Sequence, residues 1–306
     1  MYKYQRTIND KIEFSGIGLH TGAQTKMVVY PAEKNSGISF KRIDLNDNVI
    51  INASIDNVVE TNRGTTIGIN NHKIFTVEHF LSALNGLGVN NAFIEIDNIE
   101  PPIFDGSSDV FVNSILDVGI RKNTARQKYI NITKEISYHN NSCKMKIIPC
   151  DKFKISYFGN YPYGNIGNQD YIYTLSNDYI EKISKARTFC SINELIHLKK
   201  RDLIKGADLN SGIVFLDNSN NQKTINEILL NINIKATSTK NKNYTLNNIP
   251  LRYKNEPIRH KILDLIGDFS LLGFRINGHI ISYGGGHESN VELMKIINNI
   301  YVLKLQ

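Results

Sequence analysis

Arg259-His260-Lys261-Ile262-Leu263-Asp264-Leu265-Ile266-Gly267-Asp268 is the stretch on which the reading of this chain turns. Residues four apart share one face of an α-helix, so the spacing predicts a helix carrying His260, Asp264 and Asp268 in a single polar line. Ile262, Leu263, Leu265 and Ile266 cover the other faces of the same turns, which predicts that the helix is packed against a core. An imidazole and a carboxylate one turn apart can share a small divalent cation such as zinc, and iron(II) can occupy similar ligands. On spacing alone such a pair is more often a surface ion pair, and two side chains do not complete a metal site. A third ligand is therefore expected elsewhere. Phe75-Thr76-Val77-Glu78-His79-Phe80-Leu81 offers one, with a carboxylate directly beside the imidazole.

Outward from that helix, the order of elements repeats. A helix from His260 through Leu271-Leu272 is expected to stop near Gly273. The strand-like run Gly278–Tyr283 follows, then the turn Gly284-Gly285-Gly286-His287, then a helix carrying Leu293, Ile296 and Ile297. Upstream, Thr76 is the expected N-cap of a helix running through Phe80, Leu81 and Leu84 to a stop at Gly86 and Gly88. A strand over Asn91–Asp97 follows it, then the turn Asp105-Gly106-Ser107-Ser108, which caps a helix carrying Val110, Phe111, Ile115 and Leu116. Short β-like runs, Ile12–Phe14, Lys26–Tyr30 and Gly37–Lys41, precede this first copy. Helix, strand, turn and helix thus occur twice, each copy opening with a histidine on its first helix, so two related domains are expected. Their boundary is placed in the polar stretch Asn123–Gln127, before the strand Tyr129–Ile132, giving domains 1–125 and 126–306. A site assembled from both would lie where they face each other. Ser191 to Asp217 reads as an insertion in the second domain, and its Leu195, Leu198, Ile204 and Val214 exceed the apolar content a surface loop requires.

The chain has 306 residues, about twice the usual single-domain length. Its 41% hydrophobic and 21% charged residues exclude disorder. No apolar run approaches the roughly eighteen residues of a membrane-spanning helix. Met1–Thr7 lacks the apolar core of a secretory signal, so a cytoplasmic location is expected. Cys143, Cys150 and Cys190 read as reduced thiols acting as small hydrophobes. The net charge of +7 suits an anionic partner: nucleic acid, a phosphorylated metabolite or an anionic membrane surface. The densest basic run, Lys199-Lys200-Arg201, needs no ligand as a solvated face. The absence of a nucleic-acid-binding signature argues against nucleic acid.

Taken together, the two histidine segments supply what catalytic zinc needs. His79, His260 and Asp264 make three ligands and leave the fourth position open to a water, whose pKa falls to about 7. Glu78, next to a ligand, is the candidate general base. His287 is the candidate general acid, against the alternative of an exposed loop histidine, and Asp268 is either its orienting carboxylate or a helix-surface acid. Lys261 either meets an anionic intermediate or a substrate phosphate, or is solvated. Arg187-Thr188-Phe189 could place a hydroxyl at a polarised carbonyl and a ring beside the substrate.

With these residues in hand, the chain closely resembles the UDP-3-O-acyl-N-acetylglucosamine deacetylases, the zinc amidases of lipid A biosynthesis in Gram-negative bacteria. The resemblance runs through Ser15-Gly16-Ile17-Gly18-Leu19-His20-Thr21-Gly22, Thr76-Val77-Glu78-His79, Asn91–Asp97, Pro102-Ile103-Phe104-Asp105-Gly106-Ser107, Ala186-Arg187-Thr188-Phe189, Arg259–Asp264 with Gly267-Asp268, and Gly286-His287. In that order the motifs are highly specific. The resemblance implies an α+β fold of two β-α-α-β domains, helix layers sandwiched between two sheets, with the active site at the domain interface. It implies zinc on His79, His260 and Asp264, Glu78 as base, and His287 as acid or oxyanion stabiliser supported by Asp268. Lys261 and Thr188 are implied to contact substrate and stabilise the intermediate, with Phe189 beside the substrate and the insertion after it forming an acyl-chain passage. The implied partner is a UDP-linked acylated amino sugar, with no nucleic acid, a transient contact with the inner-membrane surface, and a monomeric state. Two stretches depart from the family pattern: Asn160-Tyr161-Pro162-Tyr163-Gly164, and Glu288-Ser289 after the last histidine.

Overall fold

In the computed structural model, residues 2–162, 166–208, 210–216, 222–231 and 244–302 are described. Tyr163, Gly164 and Asp217, singled out above, lie outside them. The architecture is α+β, and one plan is used twice. In the first copy the strands Ile12–Ile17, Gln24–Pro31, Ala92–Ile96, Ile38–Arg42 and Ile50–Asn52 lie side by side in that order. In the second, Ile136–His139, Lys144–Ile148, Arg275–Tyr283, Phe153–Tyr161 and Gly167–Thr174 do the same, and Tyr129–Asn131 adds a parallel partner to the start of Arg275–Tyr283. In each copy the strand last in sequence enters the middle of the sheet. It runs antiparallel to the second strand, with Met27 opposite Ile96 and Ile147 opposite Ile280. It runs parallel to the third, with Phe40 opposite Ile94 and Ile155 opposite Ile280. This shared strand order is the three-dimensional form of the sequence repeat.

Seven α-helices occur among the described residues: α1 (Glu78–Leu87), α2 (Asp109–Val118), α3 (Tyr179–Lys182), α4 (Ile192–Lys200), α5 (Gln222–Asn231), α6 (Glu256–Phe269) and α7 (His287–Tyr301). Each sheet buries alternate residues of its central strand, as a one-sided sheet must. The buried faces of both sheets turn toward a helix layer in which α1 packs on α6, α2 beside α1 and α7 beside α6. One continuous apolar core runs from Phe14, Met27 and Phe80 to Leu263, Ile280 and Leu293. Ile262, Leu263, Leu265 and Ile266 are all fully buried, each contributing roughly 1.5–3 kcal/mol. None of the helices is long and apolar enough to cross a membrane.

Several local readings need correction. Thr76 does not cap α1: Val77 holds the N-cap position, and the Thr76 hydroxyl donates to Glu100 instead. α6 begins at Glu256, earlier than its histidine, because Pro257 suits a first turn that lacks intrahelical donors. The Asp105–Ser108 turn does cap α2, with Ser108 at the N-cap position and the Ser107 hydroxyl accepting from the Asp109 N–H at 3.1 Å. Leu116 sits on its outer side, 43% exposed. The polar stretch around Asn123 is a strand, Ile120–Arg126, paired antiparallel with Tyr4–Ile8. Its polar letters mislead because only one face of the ribbon is covered.

The insertion has its own small core. Phe189–Ser191 and Ile213–Phe215 pair in parallel, and α4 lies between them in sequence, started by a reciprocal cap in which Ser191 and Glu194 each satisfy the other's backbone N–H. Leu195, Leu198 and Ile204 cluster there, with Leu19, Cys190 and Val214 packed against them. That accounts for the apolar surplus of this segment.

Candidate metal centre

The packing of α1 on α6 brings the two histidine segments together. Ser82 Oγ donates to the Leu263 carbonyl at 2.7 Å and Asn85 Nδ2 to the Ile266 carbonyl at 2.8 Å, stitching the helices side to side. A Cβ on Gly267 would lie 2.1 Å from the Glu78 carbonyl oxygen, so only glycine lets the first turn of α1 sit this close. Gly267→Ala should therefore push the helices apart. The expected loss is roughly 1–3 kcal/mol of stability, read as a lower denaturation midpoint, together with weaker metal binding in a titration. An unchanged midpoint and unchanged affinity would show that this contact does not set the site.

The convergence follows directly. His79, His260 and Asp264, all buried, offer ligand atoms within 4.8 Å of one another. The two rings stand nearly perpendicular with centroids 5.0 Å apart. His260 Nδ1 lies 3.0 Å from the Ala186 carbonyl. A carbonyl can only accept, so Nδ1 carries the hydrogen and the Nε2 lone pair is left free. Burial pushes the His260 pKa down to about 3, which keeps the ring neutral, as a metal ligand must be. That free lone pair faces Asp264 Oδ1 at 3.2 Å. Two acceptors facing each other repel unless a cation lies between them. Asp264 Oδ1 is also buried without a hydrogen-bond partner and lies 3.6 Å from His79 Nε2. The donor set, two imidazoles and a carboxylate, therefore fits a small divalent ion. The other Asp264 oxygen accepts from Lys261 Nζ at 2.8 Å, so Lys261 is an ion-pair partner rather than a solvated lysine.

Glu78 and His287 complete the polar floor. Glu78 is 2% exposed, and its Oε2 accepts from the Thr65 N–H at 2.9 Å. Burial pushes its carboxyl above the usual carboxylate range. His287 is the first residue of α7, and its Nε2 lies 3.8 Å from Glu78 Oε1. Its Nδ1 lies 2.9 Å from Asp268 Oδ2, while the Thr65 hydroxyl donates to Asp268 Oδ1 at 2.6 Å and Asn290 Nδ2 to Oδ2 at 2.7 Å. Burial works against charge on His287, but Asp268 and then Glu78 outweigh it and lift the pKa to about 9. Asp268 is fully buried, which rules out the helix-surface reading, and His287 is not an exposed loop residue.

Glu78, His79, His260, Lys261, Asp264 and His287 line one cavity of about 480 Å³. Thr188 and Phe189 form part of its wall, with the Phe189 ring edge-on to His260 at 6.2 Å between centroids and Lys261 Nζ 5.9 Å from the ring centre. Leu19, Leu195, Leu198, Ile204, Ala207 and Val214 make a second, apolar side of the same cavity. Cys143, Cys150 and Cys190 are all free, but only Cys143 is buried. Thr65 and Asn290 were not singled out from sequence, and Ala186 and Gly267 were quoted only as members of motifs, with no role of their own. Asn290 lies one turn after His287, a spacing that could have pointed to it; Thr65 carries no such signal.

The family model described as UDP-3-O-acyl N-acetylglycosamine deacetylase matches residues 5–233 and 228–299. The bifunctional LpxC/FabZ enzyme of Chlorobaculum tepidum is 38% identical over 299 residues, covering 96% of this chain and 64% of that protein. The UDP-3-O-acyl-N-acetylglucosamine deacetylase of Geobacter sp. is 34% identical over 292 residues, 95% of this chain and 88% of the relative. That of Trichormus variabilis is 34% identical over 299 residues, with 96% and 98% covered. The chain thus spans 64% of the length of the bifunctional relative and nearly all of the Trichormus one.

Proposed function

Because the chain belongs to the UDP-3-O-acyl-N-acetylglucosamine deacetylase family, we propose that it hydrolyses the N-acetyl group of UDP-3-O-[(3R)-3-hydroxyacyl]-N-acetylglucosamine. The products are acetate and the free amine, the committed step of lipid A biosynthesis. The observation that carries this reading is the meeting of His79, His260 and Asp264 beside Glu78 and His287 in a cavity with one polar and one apolar side. The apolar side suits the 3-O-acyl chain, and the polar floor suits the amide.

We assign the ion as zinc: His79, His260 and Asp264 would hold it, and when bound it would supply Lewis acidity to the acetyl carbonyl and lower the pKa of the attacking water. Glu78 takes that water's proton. Its Oε2 is pinned by the Thr65 N–H, which leaves Oε1 to act as the base. As the water oxygen bonds to the acetyl carbon, negative charge grows on the acetyl oxygen, and the Lys261 ammonium and Thr188 offset it. When the C–N bond breaks, its electrons go to the nitrogen, which takes a proton from His287 Nε2. Asp268 holds the opposite ring nitrogen and so aims that proton. Phe189 flanks the reacting group.

We propose a division at 125/126, at the end of the strand Ile120–Arg126, with Glu78 and His79 in the first domain and His260, Asp264 and His287 in the second. We assign the reaction to the cytoplasm, where nucleotide-linked sugars are found, and to a monomer, since one chain supplies every group named. The exposed Lys200 and Arg201 at the end of α4 suit a brief contact with the anionic inner-membrane surface as a lipidated substrate is met. The test is acetate release by the purified, zinc-loaded protein. Turnover is expected with the 3-O-acylated nucleotide sugar and to be at least about a hundredfold lower in kcat/KM without the acyl chain. Equal rates on both would overturn the substrate assignment and point to a general amide hydrolase.

A further inference from the structure

Immediately before the Glu78-His79 turn, Thr76 has φ +53°. A β-branched residue in the left-handed region is a steric outlier and persists only where neighbouring contacts hold it. The contact that holds it comes from Glu100, a fully buried carboxylate to which the deacetylation scheme gives no role. Glu100 Oε1 accepts from the Thr76 hydroxyl at 2.7 Å. Its Oε2 accepts from the Thr21 N–H and the Thr21 hydroxyl, both at 2.9 Å, and the His20 N–H lies 3.0 Å away. The loop wraps so tightly that a Cβ on Gly18 would lie 2.6 Å from Glu100 Oε2. One buried carboxylate thus ties together two walls of the cavity. On one side is the turn that presents Glu78 and His79; on the other is the loop that presents Leu19 and His20.

We propose that Glu100 is a positioning residue of this site. By holding Thr76 in its left-handed conformation it sets Glu78 and His79 against His260 and Asp264. With its other oxygen it fixes the Leu19–His20 wall beside the apolar side of the cavity. The inference rests on the deacetylase reading for its kinetic consequences, and on geometry alone for its consequences for metal binding.

The experiment compares Glu100→Gln, Thr76→Ala, Thr76→Gly and the double variant Glu100→Gln/Thr76→Gly, each checked for a folded state at the assay temperature. Glu100→Gln and Thr76→Ala should lower kcat by about ten- to a hundredfold and weaken zinc binding in a chelator competition. Glycine adopts positive φ without strain, so Thr76→Gly should keep kcat within about threefold of the native chain. In the Glu100→Gln background it should restore kcat but not KM for the acylated substrate, because the Leu19–His20 loop remains loose. A merely structural role would lower the melting temperature of every variant without that split. Native kcat and zinc affinity in Glu100→Gln, or Thr76→Gly as impaired as Thr76→Ala, would overturn the proposal. If the native chain releases no acetate, the substrate reading fails, and the order of zinc affinities across the same variants still decides the positioning role.

Discussion

Glu78→Gln is expected to lower the rate of acetate release by roughly 10²–10⁴-fold while leaving the metal content of the purified protein unchanged. The substitution keeps the shape of the side chain, and its amide oxygen can still accept the Thr65 N–H that Glu78 Oε2 receives at 2.9 Å. What it removes is the ability to accept a proton at neutral pH. Glu78 is buried, which raises its pKa and makes its carboxylate a stronger base than a surface glutamate. The loss should fall on kcat, since a proton transfer made only in the transition state is what disappears. Steady-state kinetics with metal analysis on the same preparation is the check. A variant that turns over at the native rate would show that Glu78 is a structural acid at the start of α1.

His260→Ala is expected to remove metal and activity together. Its Nε2 lone pair is one of three donors, and the Nδ1–H that orients it toward the site is bound to Ala186. Loss of an orienting partner alone typically costs 10–100-fold in metal affinity, so loss of the ligand itself should exceed about a hundredfold. The helix should survive, because Ile262, Leu263, Leu265 and Ile266 keep α6 in the core. Circular dichroism matching the native chain, with metal below stoichiometry and no detectable acetate release, is the predicted result. Full metal occupancy in this variant would remove His260 from the ligand set.

The candidate metal ligands could be named from sequence because such a site needs imidazole and carboxylate at helical spacing, whereas the roles of Lys261 and Thr188 rested on the family resemblance. His260 and Asp264 share a face of α6, and Glu78 and His79 open α1, so the segments could be named before their meeting was visible. The repeat was legible through the order of its elements, although the shared strand order could not be read from local pattern. Pairing of Ala92–Ile96 between Gln24–Pro31 and Ile38–Arg42 is a long-range choice made by the whole sheet. What stayed hidden acts through the backbone or through distant partners. Thr76 looked like a cap because threonine caps helices, yet its hydroxyl is spent on Glu100, 24 residues further along. Glu256 gave no sign that it would be buried against Arg187, an ion pair at 2.8 Å that crosses 69 residues of chain. Gly267 was quoted only as part of a motif, and the approach of the Glu78 carbonyl shows why a side chain is excluded there.

The central claim is that His79, His260 and Asp264 hold one divalent ion on which the hydrolysis depends. X-ray absorption of the purified protein, with elemental analysis before and after chelation, tests it most directly. One zinc per chain is expected, coordinated by two imidazoles and a carboxylate oxygen, lost with acetate release on chelation and regained with it on adding zinc back. Undiminished turnover by the metal-free chain, or an ion whose spectrum shows no imidazole ligand, would contradict it.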